Sequence, residues 1–105
     1  MLAKPDIGLV TASEMTERAR QIVAAVGDTP LIADGDNGYG GEHNVARLVN
    51  AYEQAGVQSI QLEDQVSPKR CGHMDKKQVV TFEEAVNKIG MAVRSRQSKE
   101  FLIMA

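Results

Sequence analysis

Apolar positions along this chain repeat with two alternating spacings, and each switch of spacing marks an element boundary. Met15, Ala19, Ile22, Val23 and Val26 fall on one side of a 3.6-residue period. Ser13 is placed to cap that helix, Glu14 and Glu17 suit its positive end, and Gly27 supplies a stop. Pro30 to Ala33 then read as a short buried strand ending at Asp34. After a glycine-rich turn, Val45, Leu48, Val49 and Tyr52 mark the apolar stripe of a second helix from about His43 to Ala55, with Gly56 as its stop. Val57 to Leu62 form the next strand, ending at Glu63. Thr81 and Glu84 have capping-box spacing, and Phe82, Ala85, Val86, Ile89 and Val93 give a third helix its buried face. Phe101 to Met104 read as a last buried strand. The order helix, strand, helix, strand, helix, strand predicts right-handed crossovers and a parallel sheet, hence an α/β fold in a single domain.

One segment, Asp64 to Val80, has no clean period and is long for a strand-to-helix connection, a property common in functional loops. It contains the only cysteine of the chain, in Lys69-Arg70-Cys71-Gly72-His73. A free cysteine is often an inert, buried apolar residue. Here the polar surroundings and basic neighbours favour a reactive or proton-exchanging thiol. His73 fits three roles from sequence: a solvated loop residue, a substrate ligand, or a neighbour that lowers the thiol pKa. His43 reads as a capping or surface residue, Arg47 as a surface or ion-pair residue, and Lys76 and Lys77 as a solvated charge run.

The acidic residues add a second kind of chemistry. Asp34 and Asp36 stand at one strand end and Glu63 at the next, on the edge where α/β folds place their sites. Alternation would send the two aspartates into one pocket, where oxygen ligands from adjacent strands can share a hard divalent cation. The plain alternative for Asp34-Gly35-Asp36-Asn37-Gly38 is a solvated turn. Gly38, Gly40 and Gly41 match neither nucleotide-binding fingerprint, and suit a close approach of backbone to an anion or a metal-bound water.

Composition narrows the class. The chain has 105 residues, 43% hydrophobic and 25% charged, with a net charge of −2. That suits one small globular domain and argues against nucleic-acid binding, because no basic stripe is present. No apolar run approaches the length of a membrane span, and the first residues lack a secretory pattern. One cysteine excludes an internal disulfide and fits a reducing compartment, the cytosol or an organelle matrix such as that of mitochondria.

Asp34-Gly35-Asp36 with Gly38-Tyr39-Gly40, Leu62-Glu63-Asp64-Gln65 and Lys69-Arg70-Cys71-Gly72-His73 together resemble the isocitrate lyase and phosphoenolpyruvate mutase superfamily. The cysteine motif resembles the 2-methylisocitrate and isocitrate lyase branch, since the mutase and many hydrolase members lack it. Asn37 stands where a threonine is common. The resemblance covers nearly the whole chain and implies part of a (β/α)8 TIM-type barrel, here about three parallel strands with intervening helices.

It further implies Mg²⁺ as cofactor, or Mn²⁺ in its place. Asp36 matches the direct ligand; Asp34 and Glu63 match residues that hold the metal through its waters. Asp6, Gly38, Tyr39 and Gly72 match positions around a small carboxylate substrate. Cys71 matches the catalytic acid/base on a mobile loop, with Lys69, Arg70 and His73 completing the catalytic signature. The implied reaction is a retro-aldol cleavage of a 2-hydroxy tricarboxylate, after which Cys71 protonates an enediolate to give succinate beside pyruvate or glyoxylate. The full-length family implies a homo-oligomer. An oxaloacetate-type hydrolase, a phosphonomutase and a non-catalytic remnant are the alternatives.

Overall fold

The computed structural model describes residues 3–67 and 78–105, so the cysteine motif, Lys69 to His73, lies outside the described residues together with Lys76 and Lys77. Helices and strands alternate in the order α1 (Ala12–Val26), β1 (Ile32–Asp34), α2 (Glu42–Ala55), β2 (Ser59–Gln61), α3 (Phe82–Ser95) and β3 (Leu102–Met104). The strands pair in parallel in the order β1-β2-β3, with Ile32 opposite Ser59 and Ser59 opposite Leu102. The α/β alternation and the parallel sheet are those expected from the sequence.

The start of α1 differs from expectation. Thr11, not Ser13, is the cap: its hydroxyl accepts from the Glu14 N–H at 3.2 Å, and Glu14 Oε2 accepts from the Thr11 N–H at 2.8 Å. The physical reason is reciprocity, since Thr11 has a glutamate three residues on whereas Ser13 has Thr16, which carries no carboxylate to reach back. Those bonds also hold the Glu14 carboxyl below its usual range. Thr81 and Glu84 form the same box at α3, as expected.

The core lies between the helices and one face of the sheet. Val45, Leu48, Val49 and Tyr52 of α2 are buried with Ala33, Ile60 and Leu62. Each such side chain removed from water contributes about 1.5–3 kcal/mol. The stripes of the outer helices are split rather than wholly buried. On α1, Ala19 is buried, while Ile22 and Val26 are exposed. On α3, Ala92 is buried, while Phe82 is 85% exposed and Val86 and Val93 are also open. Both stripes are wider than the contact that α2 and three strands offer.

Among the described residues the sheet is covered on one side only. Ala33, Ile60 and Ile103 form the row facing the helices, whereas Ile32, Leu102 and Met104 on the alternate rows are exposed. The molecule is a slab 19 Å thick, the depth of one sheet and one helix layer. Among the described residues no helix is long and apolar enough to cross a membrane.

Candidate functional site

β1 ends at Asp34, and the chain then turns sharply through Gly35 to Tyr39. Asp34 Oδ1 accepts from the Asp36 N–H at 2.8 Å, Asp36 Oδ1 from the Asn37 N–H at 2.9 Å, and Asn37 Oδ1 from the Tyr39 N–H at 3.1 Å. This ladder of side chain to backbone bonds stabilises left-handed backbone at Asp36 (φ 53°) and Tyr39 (φ 59°). Such a conformation costs a non-glycine residue about 1 kcal/mol or more, with aspartate among the tolerant types. Gly35 packs so near β2 that a Cβ there would lie 2.7 Å from Ile60 Cδ1. Gly38 (φ 86°) abuts the Val45 side chain.

The turn brings Asp34, Asp36 and Tyr39 to one cavity of about 420 Å³, which Asp6 also lines. The two aspartates thus share a pocket, as alternation along a strand suggested, although Asp36 arrives there through a left-handed turn rather than extended backbone. Asp36 is buried, at 8% exposure, while Asp34 and Asp6 are open to solvent. Gly38, expected beside the substrate, packs under the first turns of α2.

Glu63 reaches the neighbourhood from β2. Its N–H donates to the Asp36 carbonyl at 2.9 Å, which ties the two strand ends together. Its side chain accepts from Gln65 Nε2 at 3.2 Å and lines an adjoining cavity of about 350 Å³ with Asn37, Asp64 and Lys88. Just beyond, Val66 N–H donates to the Gln78 carbonyl and Val80 N–H to the Asp64 carbonyl, each at 2.7 Å. This antiparallel bridge between Gln65 and Val79 closes the two ends of the connection that contains the cysteine motif.

Burial raises the pKa of the Tyr39 phenol, and Tyr52, Asp36, Asp34 and Asp6 nearby push it further. Burial likewise raises Tyr52, with Asp34 and Asp36 adding to the effect. Both phenols therefore remain neutral hydrogen-bond donors at any ordinary pH.

The donor set suits a hard cation. Carboxylates of Asp34, Asp36 and Asp6 with the phenol of Tyr39 offer oxygen alone. Among the described residues no three His, Cys, Asp or Glu side chains close into a ready-made metal cage. Mg²⁺ does not need one, because it keeps several waters and binds through one or two carboxylates plus substrate. The oxygen donors of this cavity, with Glu63 in the adjoining one, are of a kind that fits such an ion.

A parallel sheet with carboxylates at its C-terminal edge and helices on one side is the architecture of a segment of an α/β barrel. The family model described as phosphoenolpyruvate phosphomutase matches residues 1–105, and the chain belongs to the phosphoenolpyruvate mutase/isocitrate lyase superfamily. It is 54% identical to the 2,3-dimethylmalate lyase of Eubacterium barkeri over 104 residues, 99% of this chain and 36% of that protein. It is 48% identical to the isocitrate lyase of Haloferax volcanii over 101 residues, covering 96% and 29%. Among solved structures, a 2,3-dimethylmalate lyase superposes with a TM-score of 0.92 at 38% identity, covering 97% of this chain and 35% of that one. A phosphonopyruvate hydrolase in complex with oxalate and Mg²⁺ gives 0.84 at 37% identity, covering 96% and 34%. The chain thus spans about a third of the length of these relatives.

Sequence reasoning missed two residues that bear on the turn. Tyr52 reads as one more member of the α2 stripe, yet its hydroxyl donates to the Asp34 carbonyl at 2.7 Å. Lys88 reads as an ordinary helix-surface lysine, yet its ammonium donates to the Asn37 carbonyl at 3.0 Å. A polar tip on an otherwise apolar stripe is the one signal that marks Tyr52; Lys88 carries none.

Proposed function

We propose that this chain carries the metal-binding part of an active site for Mg²⁺-dependent carbon–carbon cleavage of a 2-hydroxy tricarboxylate, 2-methylisocitrate or isocitrate. The products are succinate with pyruvate or glyoxylate. The supporting observation is the turn that brings Asp34 and Asp36 to one cavity, also lined by Asp6, at the C-terminal edge of a parallel sheet, with Glu63 in the adjoining cavity. Relatives named as lyases of 2-hydroxy acids support the reaction class.

When bound, Mg²⁺ would supply positive charge beside the substrate hydroxyl oxygen, whose proton leaves through active-site water and is returned to the Cys71 thiol at the end of the cycle. Asp36 would hold the ion directly, and Asp34 and Glu63 would hold it through its waters. Asp6 and the neutral Tyr39 hydroxyl border the bound carboxylate, with Gly72 leaving room for it, while Gly38 lets the turn pack against Val45. As the carbon–carbon bond breaks, the departing fragment is left as a carboxylate-stabilised carbanion. Cys71 gives its proton to that carbon, and Lys69, Arg70 and His73 set the charge around the thiol and the substrate carboxylates. Exclusion of water by the loop protects the carbanion until the proton arrives. Homo-oligomeric assembly and a cytosolic or mitochondrial-matrix location belong to the same proposal.

A second reading, hydrolysis of a 2-oxo acid such as oxaloacetate, is favoured by the likeness to a phosphonopyruvate hydrolase. Incubation of the full-length protein with 2-methylisocitrate, isocitrate, 2,3-dimethylmalate and oxaloacetate, with and without Mg²⁺, separates the two by their products. Succinate with pyruvate or glyoxylate is expected, and Cys71→Ser should lower the rate at least about 100-fold with the fold intact. Oxalate and acetate from oxaloacetate, with no cleavage of the hydroxy acids, would establish the hydrolase. Turnover of none would leave the phosphonomutase and the non-catalytic remnant, which incubation with phosphonopyruvate tells apart.

A further inference from the structure

The Asp34–Tyr39 turn is gripped from outside by two helices. Tyr52 of α2 fixes its first carbonyl, that of Asp34, from within the core. Lys88 of α3 fixes the carbonyl of Asn37, across 51 residues of sequence. Asn37 is buried at 7% exposure, so its carbonyl has little access to water and needs a protein donor. An ammonium is a strong donor to a carbonyl, because the bond is charge-assisted. Between the two grips lie the left-handed residue Asp36 and the carboxylates that border the cavity. α3 is also the helix that follows the segment bearing Cys71, so the Lys88 contact links the acidic turn to the element after the cysteine motif.

We infer that Lys88 is a positioning residue for the metal turn: by holding the Asn37 carbonyl it fixes the direction in which Asp36 presents its carboxylate to a divalent cation. This rests on the metal reading above. The sign of the effect separates positioning from simple electrostatics. A lysine that acted only through its charge would repel the cation, so its removal would tighten binding. A lysine that acts by holding the turn gives the opposite result, because outer partners that orient metal ligands are typically worth about ten- to a hundredfold in affinity.

Titration of Mg²⁺ alone into the full-length protein by calorimetry tests this, with circular dichroism to confirm folding. Lys88→Met should bind Mg²⁺ about tenfold more weakly than wild type. Lys88→Arg, which keeps both charge and donor, should restore most of the affinity. Lys88→Leu, which likewise keeps neither charge nor donor, is read in the same way as Lys88→Met. Wild-type binding with unchanged or tighter binding by Lys88→Met and Lys88→Leu overturns the role of Lys88 and leaves the metal reading standing. Absence of Mg²⁺ binding by the wild type overturns both.

Discussion

Asp36 combines three properties that rarely coincide in one residue: it is acidic, it is buried, and its backbone is left-handed. The turn tolerates this because each successive side-chain oxygen accepts the next free N–H, from Asp34 to Asp36, Asp36 to Asn37 and Asn37 to Tyr39. The sequence showed where the carboxylates stand, since strand ends are readable from hydrophobic spacing. It did not show the left-handed turn, because Asp-Gly-Asp-Asn-Gly also suits an ordinary solvated loop. Nor could spacing reveal Lys88, whose partner lies 51 residues away. The same acidic surroundings give a pH prediction. Tyr39 and Tyr52, the two tyrosines of the chain, have pKa values raised by burial and by neighbouring carboxylates. Folding favours the neutral phenols, so this contribution to stability is intact below the unfolded tyrosine value of about 10 and is lost as pH rises towards the folded values. In a spectrophotometric titration, assigned with Tyr39→Phe and Tyr52→Phe, neither phenolate signal should appear before the fold is lost. A step near pH ~10 with circular dichroism unchanged would contradict the burial of these rings.

Elements were more legible than the turn that joins them. The α2 stripe and the Thr81–Glu84 box were read correctly because both are local, the first set by period and the second by spacing. At α1 a single capping hydroxyl points to Ser13, whereas the reciprocal glutamate selects Thr11. The α3 stripe reads as a buried face, and the α1 stripe as one apolar side of a helix. Period identifies an apolar face but says nothing about how much of it a neighbour covers, which is why Phe82 and Val86 proved exposed. The junction between the turn and α2 is a place where packing and backbone make the same demand. At Gly38 the backbone is left-handed (φ 86°) and a Cβ would run into Val45. Gly38→Ala should therefore destabilise the fold by more than about 1 kcal/mol, seen as a lower denaturant midpoint with an unchanged slope. A midpoint equal to that of wild type would show that neither constraint is felt.

At the scale of the molecule, a sheet with helices on one side leaves Ile32, Leu102 and Met104 exposed on the other. In the barrels of this superfamily, the corresponding face is turned to the barrel interior and packed by side chains from the other strands. The chain spans about a third of its relatives, which accounts for an exposed face and two split helix stripes in a sequence whose local signals are consistent. Family and fold were legible because the Asp34-Gly35-Asp36 and Lys69-to-His73 motifs are specific and far apart. The substrate was not legible, since motifs shared by lyases and hydrolases describe common chemistry rather than the pocket that tells their substrates apart. The central claim is that the acidic turn is a Mg²⁺ site centred on Asp36, and Asp36→Asn isolates it. Asparagine tolerates left-handed backbone and retains an oxygen for the Asn37 N–H, so only the negative charge is removed. Calorimetric titration of Mg²⁺ into the full-length wild-type and Asp36→Asn proteins is therefore the most direct measurement. Binding weakened at least about tenfold, or about 1.4 kcal/mol, with circular dichroism unchanged, is the result predicted. Equal affinity in the two proteins would contradict it.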